Sequence, residues 1–390
     1  MNNHVCHVIN TLSTGGAEHY VVNLSNFLNS NGMRASIIAG EPQTLRDKVA
    51  PGVHVETLEL HPGANKSLLK YIRNLRSTCK ELVSYFRREQ VTVVHTHLAA
   101  SALPAWIAAK ICGIPVFHSK MHAVKISSLY ERILFGSRLP LIFITRYVVF
   151  SNFMRDEAHK YWHAPFHKIF ISSIGVDTSS FIYDPSSKLA SRQALNICMT
   201  AHVILVVARL HPDKDVELAI RAARYLNDPS AVLIIVGDGQ ERAKLEELVR
   251  DLPGQTQVRF LGHTNDPRSA YASADALLQT SRSPNIGTVV LEAMATGLPV
   301  LIAYRNEEER FMAMDTFDNQ PLGHIAHATP ALIAECLESF FAELDRDKNF
   351  RHIRRDFIRN RHDKQLAFSN LADCYRSHYR SGAIINPAIK

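Results

Sequence analysis

Short apolar runs alternate with stretches of helical periodicity along most of the chain. In the first half, the runs that predict strands are Val5–Asn10, Ala35–Ala39, Val53–Leu58, Val91–His95, Val116–His118 and Tyr147–Phe150. Helices are predicted at about Ala17–Ser30 and at Ser67–Glu89, where apolar residues recur at helical spacing. Strands that alternate with helices in this way are typical of βαβ units and a parallel sheet.

The same alternation restarts in the second half. Strands are predicted at Val203–Ala208, Ala231–Val236, Val258–Leu261 and Asp275–Gln279, and helices at Val216–Asn227, Gln240–Asp251 and Gly287–Thr296. The polar segment Ile182–Ser191, with a proline and several serines, is predicted to be the linker. A chain of 390 residues with this pattern predicts two α/β domains, at 1–185 and 186–360.

Composition narrows the class of protein. Hydrophobic residues make up 46% of the chain and charged residues 21%, which indicates a globular protein. The six cysteines form no C-x-x-C pair and lack metal-ligand spacing, so we expect reduced thiols and a cytoplasmic protein. No secretory signal is predicted at the N-terminus. The apolar stretch Leu139–Phe150 contains Arg146 and is too short to span a bilayer, so it predicts a buried turn and strand.

The formal net charge of +7 is compatible with three kinds of partner. They are nucleic acid, an anionic membrane surface and a phosphorylated small molecule. Nucleic-acid binding is disfavoured because the sequence has no recognised module and no basic stripe interleaved with aromatic residues.

A glycine-rich turn follows the first predicted strand and opens a helix. In Ser13–Glu18, Gly15 and Gly16 let the backbone turn sharply, and the amides of the helix start favour an anion such as a diphosphate. The pattern is neither G-x-G-x-x-G nor a P-loop. A turn that serves only the strand–helix connection explains these glycines equally well.

Further motifs follow in order along the chain. They are Gly15–Glu18 (G-G-A-E), His95–His97 (H-T-H), Ile174–Asp177, Val207–Asp215, Ile235–Gly239 (I-V-G-D-G), Val258–Gly262 and Val289–Val300. With these motifs the chain resembles the retaining glycosyltransferases of family 4, including those of bacterial surface polysaccharide synthesis. The resemblance implies the GT-B fold, in which two Rossmann-like domains face each other across a cleft. It also implies that residues 361–390 form a helix returning to the N-terminal domain, followed by a tail.

The resemblance assigns roles to residues of the second half. Arg209 and Lys214 would stabilise the charge that develops on the diphosphate leaving group, and they count as catalytic. Glu292 would bind the ribose hydroxyls of the donor. Solvated surface cations and a structural glutamate are the respective alternatives. The other donor-binding candidates are Gly15, Gly16, Gly237, Gly239, Phe260, Asn285 and the helix start Gly287, Thr288 and Val289.

A histidine beside the anomeric carbon is the other catalytic group that the resemblance implies. His118 and His122 both follow the strand near Phe117, and the spacing from Pro115 favours His122.

Three departures from the family pattern stand out. Pro284 occupies the position of the first of two glutamates that are separated by seven residues, so the contact with the transferred sugar is unassigned. Asp215 replaces a glycine after Lys214. Ala303–Arg310 replaces a Gly-Gly loop with a following acid.

The implied reaction moves a sugar from a UDP-, GDP- or ADP-sugar to a hydroxyl of a glycan or lipid-linked acceptor. The resemblance implies no metal and no other cofactor. Cations beside the apolar stripe of Ser67–Glu89 suit an anionic inner-membrane surface, although a core-packed stripe with solvated cations fits equally well. A sugar-nucleotide epimerase and a non-catalytic partner subunit are the alternative functions.

Overall fold

The chain forms two compact units in a computed structural model. The structure describes residues 3–60, 68–99, 101–119, 121, 134–264, 266–282, 287–342 and 344–382. The first unit comprises Met1–Ile174 together with Gln365–Lys390, and the second comprises Gly175–Lys364.

A seven-stranded parallel sheet forms the centre of the first unit. Its strands are β1 (His4–Thr11), β2 (Arg34–Gly40), β3 (His54–Thr57), β4 (Val93–His97), β5 (Val116–Ser119), β6 (Arg146–Val149) and β7 (Ile169–Ile171). They lie in the order β3-β2-β1-β4-β5-β6-β7, and every pairing is parallel. The carboxyl ends of these strands therefore meet at one edge of the sheet.

Helices cover the sheet of the first unit. They are α1 (Gly16–Ser30), α2 (Leu68–Arg88), α3 (Ala102–Cys112), α4 (Leu139–Phe143), α5 (Asn152–Trp162) and, from the end of the chain, α14 (Lys364–Gly382). Phe368, Leu371 and Tyr375 of α14 are buried in the same core as β1 and β4. The predicted return of the last helix to the N-terminal domain is confirmed.

The helix α2 has its apolar stripe in the core. Leu82 and Phe86 are buried, and α2 packs along α3. Arg73, Arg76 and Lys80 are exposed. Of the two interpretations of this basic helix, the described part of α2 matches the core-packed stripe with solvent-facing cations.

A six-stranded parallel sheet forms the centre of the second unit. Its strands are β8 (Val203–Val207), β9 (Val232–Val236), β10 (Gln257–Gly262), β11 (Ala276–Gln279), β12 (Val300–Tyr304) and β13 (His324–His327). They lie in the order β10-β9-β8-β11-β12-β13. Strands β8, β9, β11 and β12 are almost wholly buried, which accounts for their continuous apolar sequences.

Helices precede and follow the strands of the second unit in sequence. They are α6 (Pro185–Ala194), α7 (Val216–Tyr225), α8 (Arg242–Asp251), α9 (Arg268–Ser273), α10 (Thr288–Ala295), α11 (Glu307–Thr316), α12 (Pro330–Ala342) and α13 (Leu344–Arg361). Both halves are therefore Rossmann-like, as the periodicity predicts. No helix among the described residues is long and apolar enough to cross a membrane.

The predicted linker at Ile182–Ser191 is wrong, because most of it is helix α6. The Asp184 side chain caps this helix by accepting hydrogen bonds from the backbone N–H groups of Ser186 and Ser187. Pro185 occupies the first turn, where its missing N–H costs nothing. A proline among serines is thus a helix start here, and the chain passes between the units at Ile174 and Gly175.

Candidate functional site

The loop after β8 carries the two cations of the second unit that the sequence singles out. Arg209 is exposed just beyond the strand end, and no ion pair joins it to an acid in the described part of the chain. Lys214 ends a short 3-10 turn, and its Nζ lies 3.5 Å from an Asp213 carboxylate oxygen. Both cations lie at the carboxyl end of a parallel strand, the edge where open α/β sheets bind ligands.

Two glycines let the neighbouring loop approach this one closely. Gly237 and Gly239 follow β9 and have positive φ angles of 138° and 158°. A Cβ on Gly237 would lie 1.9 Å from the Ala208 carbonyl oxygen, and one on Gly239 would lie 2.4 Å from that of Leu210. Only glycine fits at either position, so the I-V-G-D-G motif is required to place its loop against the backbone beside Arg209.

Phe260, the aromatic residue predicted to bind the donor, lies on β10 next to the strand that carries the glycine loop. Phe260 is half-buried, and the Arg242 guanidinium lies 5.3 Å from its ring centroid. The last residue of the strand, Gly262, accepts a hydrogen bond from the Gly237 backbone N–H at 2.8 Å. Strand β10 therefore supports the glycine loop directly.

The helix α10 begins at the same edge of the sheet. Gly287 is its N-cap in an extended conformation, and Thr288 and Val289 form the first turn. The first N–H groups of a helix have no partner within the helix, and the helix dipole favours an anion there. The predicted anion-binding residues Gly287, Thr288 and Val289 are therefore placed at a helix start.

Glu292 is held by a tyrosine that the sequence did not single out. The hydroxyl of Tyr271, a buried residue of α9, donates a hydrogen bond to Glu292 Oε2 at 2.7 Å. Burial raises the pKa of the Glu292 carboxyl, and this hydrogen bond lowers it in part. Among the described residues, the carboxylate neither caps a helix nor pairs with a cation, and no sequence pattern links it to Tyr271.

Two of the departures from the family pattern contact each other. Arg305 Nη2 donates to Asp215 Oδ2 at 2.6 Å, and Arg282 Nη2 lies 3.3 Å from the same oxygen. Asp215 has the left-handed φ of 47°, a conformation that favours the glycine usual at this position. Asp215 and Arg305 are therefore best explained as a matched replacement in which an ion pair joins two segments.

This ion pair also fixes the segment that follows β11. Arg305 donates to the carbonyl oxygens of Thr280 and Ser281 at 2.8 and 3.3 Å. Thr280 in turn donates from its hydroxyl to the Lys214 carbonyl oxygen at 3.0 Å. One hydrogen-bond network thus holds the backbone of Lys214 and of the residues that follow β11.

The sequence offered one sign of the Asp215–Arg305 ion pair. Both residues depart from the family pattern, and their charges are opposite.

In the first unit, the glycine turn at Gly15 and Gly16 is explained by a side chain rather than by a neighbouring loop. A Cβ on Gly15 would lie 2.2 Å from a Glu18 carboxylate oxygen, and Glu18 accepts hydrogen bonds from Ser13 and Thr11. No described atom lies within 4 Å of a Cβ placed on Gly16. In this structure Gly15 leaves room for the carboxylate of Glu18 at the start of α1.

The structure places His118 in the core of the first unit. The residue is completely buried, its Nδ1 lies 2.9 Å from the Thr96 hydroxyl, and Trp106 and Phe135 pack against its ring. A substrate cannot reach it in this structure, so the prediction of His118 beside the anomeric carbon is not supported by its placement. His122, Asn285 and Pro284 lie outside the described residues.

Two family models match the chain, one in each half. The model described as Glycosyltransferase Family 4 matches residues 14–180. The model described as Glycosyl transferases group 1 matches residues 187–311.

Two known proteins are similar to this chain along much of its length. A UDP-Gal:alpha-D-GlcNAc-diphosphoundecaprenol alpha-1,3-galactosyltransferase of Escherichia coli is 25% identical over 256 residues, which cover 62% of this chain and 64% of that protein. A D-inositol 3-phosphate glycosyltransferase of Streptosporangium roseum is 26% identical over 324 residues, covering 75% and 73%.

The fold matches that of a solved structure along almost the whole chain. Anabaena Alr3699/HepE, solved in complex with UDP and glucose, superposes with a TM-score of 0.78 at 17% identity over 96% of this chain and 100% of that one. At this identity the likeness concerns the fold alone. Together, the two family models and the shared architecture support the identification of this chain as a glycosyltransferase with the GT-B fold.

Proposed function

We propose that this chain is a retaining glycosyltransferase that moves a hexose from a nucleotide-diphosphate sugar to a hydroxyl of a lipid-linked glycan. The observation that carries this proposal is the grouping at one sheet edge of the second unit. There the Arg209–Lys214 loop lies against the glycine loop at Gly237, and α10 begins after the neighbouring strand β11.

Each part of this edge has a task in the proposed reaction. The diphosphate gains negative charge as the glycosidic bond breaks, and Arg209, Lys214 and the first amides of α10 stabilise it. Glu292 accepts hydrogen bonds from the ribose hydroxyls. Sugar departure and acceptor attack occur on the same face, so the step needs no enzyme nucleophile. The proton of the acceptor hydroxyl passes to an oxygen of the departing diphosphate. The two cations and the helix amides take the place of a metal, and no organic cofactor is assigned to the step.

A UDP-sugar is the donor that we test first. The Escherichia coli relative is named for UDP-galactose, and the HepE structure holds UDP and glucose. UDP-galactose in the one and UDP with glucose in the other support uridine as the base and a hexose as the transferred group.

The test is transfer from radiolabelled UDP-sugars to a diphosphoundecaprenol-linked N-acetylglucosamine, with a panel of GDP- and ADP-sugars beside them. We expect Arg209→Ala and Lys214→Ala each to lower kcat/KM by about 10²–10³-fold, because each removes a group that stabilises the leaving charge. Arg221→Ala is the matched control, since Arg221 lies on α7 and pairs with Glu217 on the same helix.

Three results would contradict the proposal. Conversion of the donor to an epimer without acceptor would indicate an epimerase. Binding of a partner enzyme without turnover of any nucleotide sugar would indicate a non-catalytic subunit. An inverted anomeric configuration in the product, read by NMR, would exclude retention.

The first unit has a surface suited to the membrane that holds such a lipid. Exposed apolar side chains of α3 and α4, at Ile111, Leu139 and Ile142, accompany the cations Lys110 and Arg138, and the two helices contact each other. Apolar side chains ringed by cations favour an anionic interface. We infer a cytoplasmic enzyme that binds the inner membrane peripherally through these helices.

Flotation with vesicles of anionic phospholipid tests this surface. Ile142→Glu should reduce vesicle binding, because Ile142 is 59% exposed and the change adds repulsion. Leu332→Glu is the control, since Leu332 is 46% exposed in the other unit. Equal vesicle binding by both variants would contradict membrane binding through α3 and α4. It would not bear on the proposed sugar transfer.

A further inference from the structure

Three histidines share one face of the sheet in the first unit. His7 lies on β1 and stands opposite His95 of β4 in the parallel register, and His97 is two residues further along β4. Residues two apart on a strand point to the same face. All three side chains are completely buried.

The ring nitrogens of these histidines converge. One nitrogen from each lies within 4.8 Å of the others, and His7 Nδ1 is 3.0 Å from His97 Nε2. Imidazole nitrogens bind Zn²⁺ at about 2.0–2.1 Å, which places two ligands of a tetrahedral ion roughly 3.3 Å apart. The cluster therefore reaches metal-ligand geometry with small movements of the rings.

Hydrogen bonds at the Nδ1 atoms of His95 and His97 leave their Nε2 atoms available for a metal ion. His97 Nδ1 is 2.8 Å from the Ser119 hydroxyl, and His95 Nδ1 is 2.6 Å from the Tyr375 hydroxyl. Outer-shell partners of this kind fix the tautomer of metal-binding histidines and leave Nε2 as the ligand atom. His95 Nε2 is buried without a hydrogen-bond partner among the described residues.

We propose that His7, His95 and His97 form a buried binding site for Zn²⁺ or a metal ion of similar preference. Neutral imidazole suits zinc, copper, cobalt and nickel far better than magnesium or calcium. The site is independent of the donor edge in the second unit, and its occupancy does not depend on sugar transfer.

Charge sets the expected strength of this site. Among the described residues, no carboxylate or thiolate joins the three imidazoles in the cluster. The doubly charged ion would therefore be buried without an anionic protein ligand, which is costly. We expect weaker binding than at structural zinc sites with cysteine ligands, and slow exchange because the cluster has no exposed atom.

A bound ion would reinforce three parts of the first unit. It would join β1 to β4 directly, and through the His95–Tyr375 hydrogen bond it would hold α14 against the sheet. The expected consequence is a higher unfolding temperature of the zinc-loaded protein, because a ligand that binds only the folded state stabilises it.

The test uses the full chain without a histidine tag, refolded with Zn²⁺ and dialysed against metal-free buffer. We expect one zinc per chain by elemental analysis, and X-ray absorption showing three imidazole ligands. His97→Gln should abolish stoichiometric zinc. His118→Gln is the matched control, since His118 is equally buried and bonded to a hydroxyl but is not in the cluster.

Several outcomes would overturn the site. They are substoichiometric zinc in the wild-type protein, fewer imidazole ligands in the absorption spectrum, and equal loss of zinc from both variants. If His97→Gln fails to fold, Co²⁺ loading of the wild-type chain decides. The visible bands of a tetrahedral cobalt site support the proposal, and the bands of octahedral aqueous cobalt contradict it.

Discussion

At the scale of single residues, Glu292 shows how the second unit holds a largely desolvated carboxylate. Desolvation disfavours the ionised form, and a hydrogen bond from Tyr271 offsets part of that cost. A nucleotide whose ribose hydroxyls donate to Glu292 would offset more of it. Under the proposed function, burying the ionised carboxylate of Glu292 therefore costs less in the nucleotide complex than in the free protein.

Replacing the tyrosine tests this arrangement. Tyr271→Phe keeps the ring and removes the donor, so we expect KM for the nucleotide sugar to rise roughly fivefold, the equivalent of about 1 kcal/mol for one hydrogen bond. The measurement is steady-state kinetics of transfer. Tyr225→Phe serves as the control, since Tyr225 is 64% exposed on α7, and an unchanged KM in Tyr271→Phe would contradict the role.

The raised pKa of Glu292 predicts how stability depends on pH. The folded state holds the proton to a higher pH than the unfolded state, so ionisation costs stability as the pH rises from the unfolded pKa through the folded one. Glu292→Gln removes this cost and keeps an acceptor for Tyr271. Relative to wild type, the free energy of unfolding of this variant should therefore be larger, meaning greater stability, at pH 7 than at pH 4.

Urea unfolding at both pH values measures this difference. A relative stability that does not change with pH would show that the carboxyl ionises equally easily in both states. The same variant should bind the nucleotide sugar more weakly than wild type, because a neutral amide accepts hydrogen bonds less strongly than a carboxylate.

At the scale of elements, the Asp215–Arg305 pair joins segments that are distant in sequence. Asp215 precedes α7, Arg305 follows β12, and the carbonyl groups held by Arg305 follow β11. Both side chains are mostly buried, at 15% and 23% exposure. Partial burial reduces solvent screening, so this pair should contribute more than an ordinary surface ion pair.

A double-mutant cycle on Asp215→Asn and Arg305→Met should give a coupling energy of roughly 1–3 kcal/mol in unfolding free energy. The control cycle uses Glu307 and Arg310 of α11, an exposed pair for which we expect less than about 0.5 kcal/mol. Equal coupling energies in the two cycles would contradict the proposal that this ion pair positions Lys214. Loss of kcat/KM in Arg305→Met without loss of folding would support it.

Prediction from sequence succeeded where the apolar residues of a strand or helix follow a single clear pattern. Strands β8 and β9 were located within a residue, because buried parallel strands are continuous apolar runs. It failed at α6, where a capping aspartate and a proline resemble a linker. It also could not place His118, which lies within β5, since a histidine near a strand end has the same sequence signature in a core as in a site.

At the scale of the whole molecule, each unit has its own core and the first is discontinuous in sequence. Phe368 of α14 packs edge-on against Tyr20 and Phe27 of α1. Phe368→Ala should cost about 3–5 kcal/mol by leaving a cavity in the first unit. Hydrogen exchange should then accelerate in peptides of β1 and α1, although the mutation lies near the other end of the chain.

The control for this prediction is Leu337→Ala in α12, which is buried in the core of the second unit. We expect it to accelerate exchange in β8 and α7 instead. Equal acceleration throughout the chain in both variants would show that the two cores unfold as one. Sequence periodicity located the last helix but could not show which core it joins, because the buried stripe of a helix does not specify its partner.

The position of α14 has a consequence for the order in which the protein matures on the ribosome. Residues 4–171 supply all seven strands of the first sheet, yet the surface that Phe368, Leu371 and Tyr375 cover stays open until those residues have left the exit tunnel. The second unit, which lies within residues 175–364, completes its own core earlier in translation. The domain that begins the chain is thus the last to be finished, and a truncated product would expose its apolar surface to chaperones and proteases.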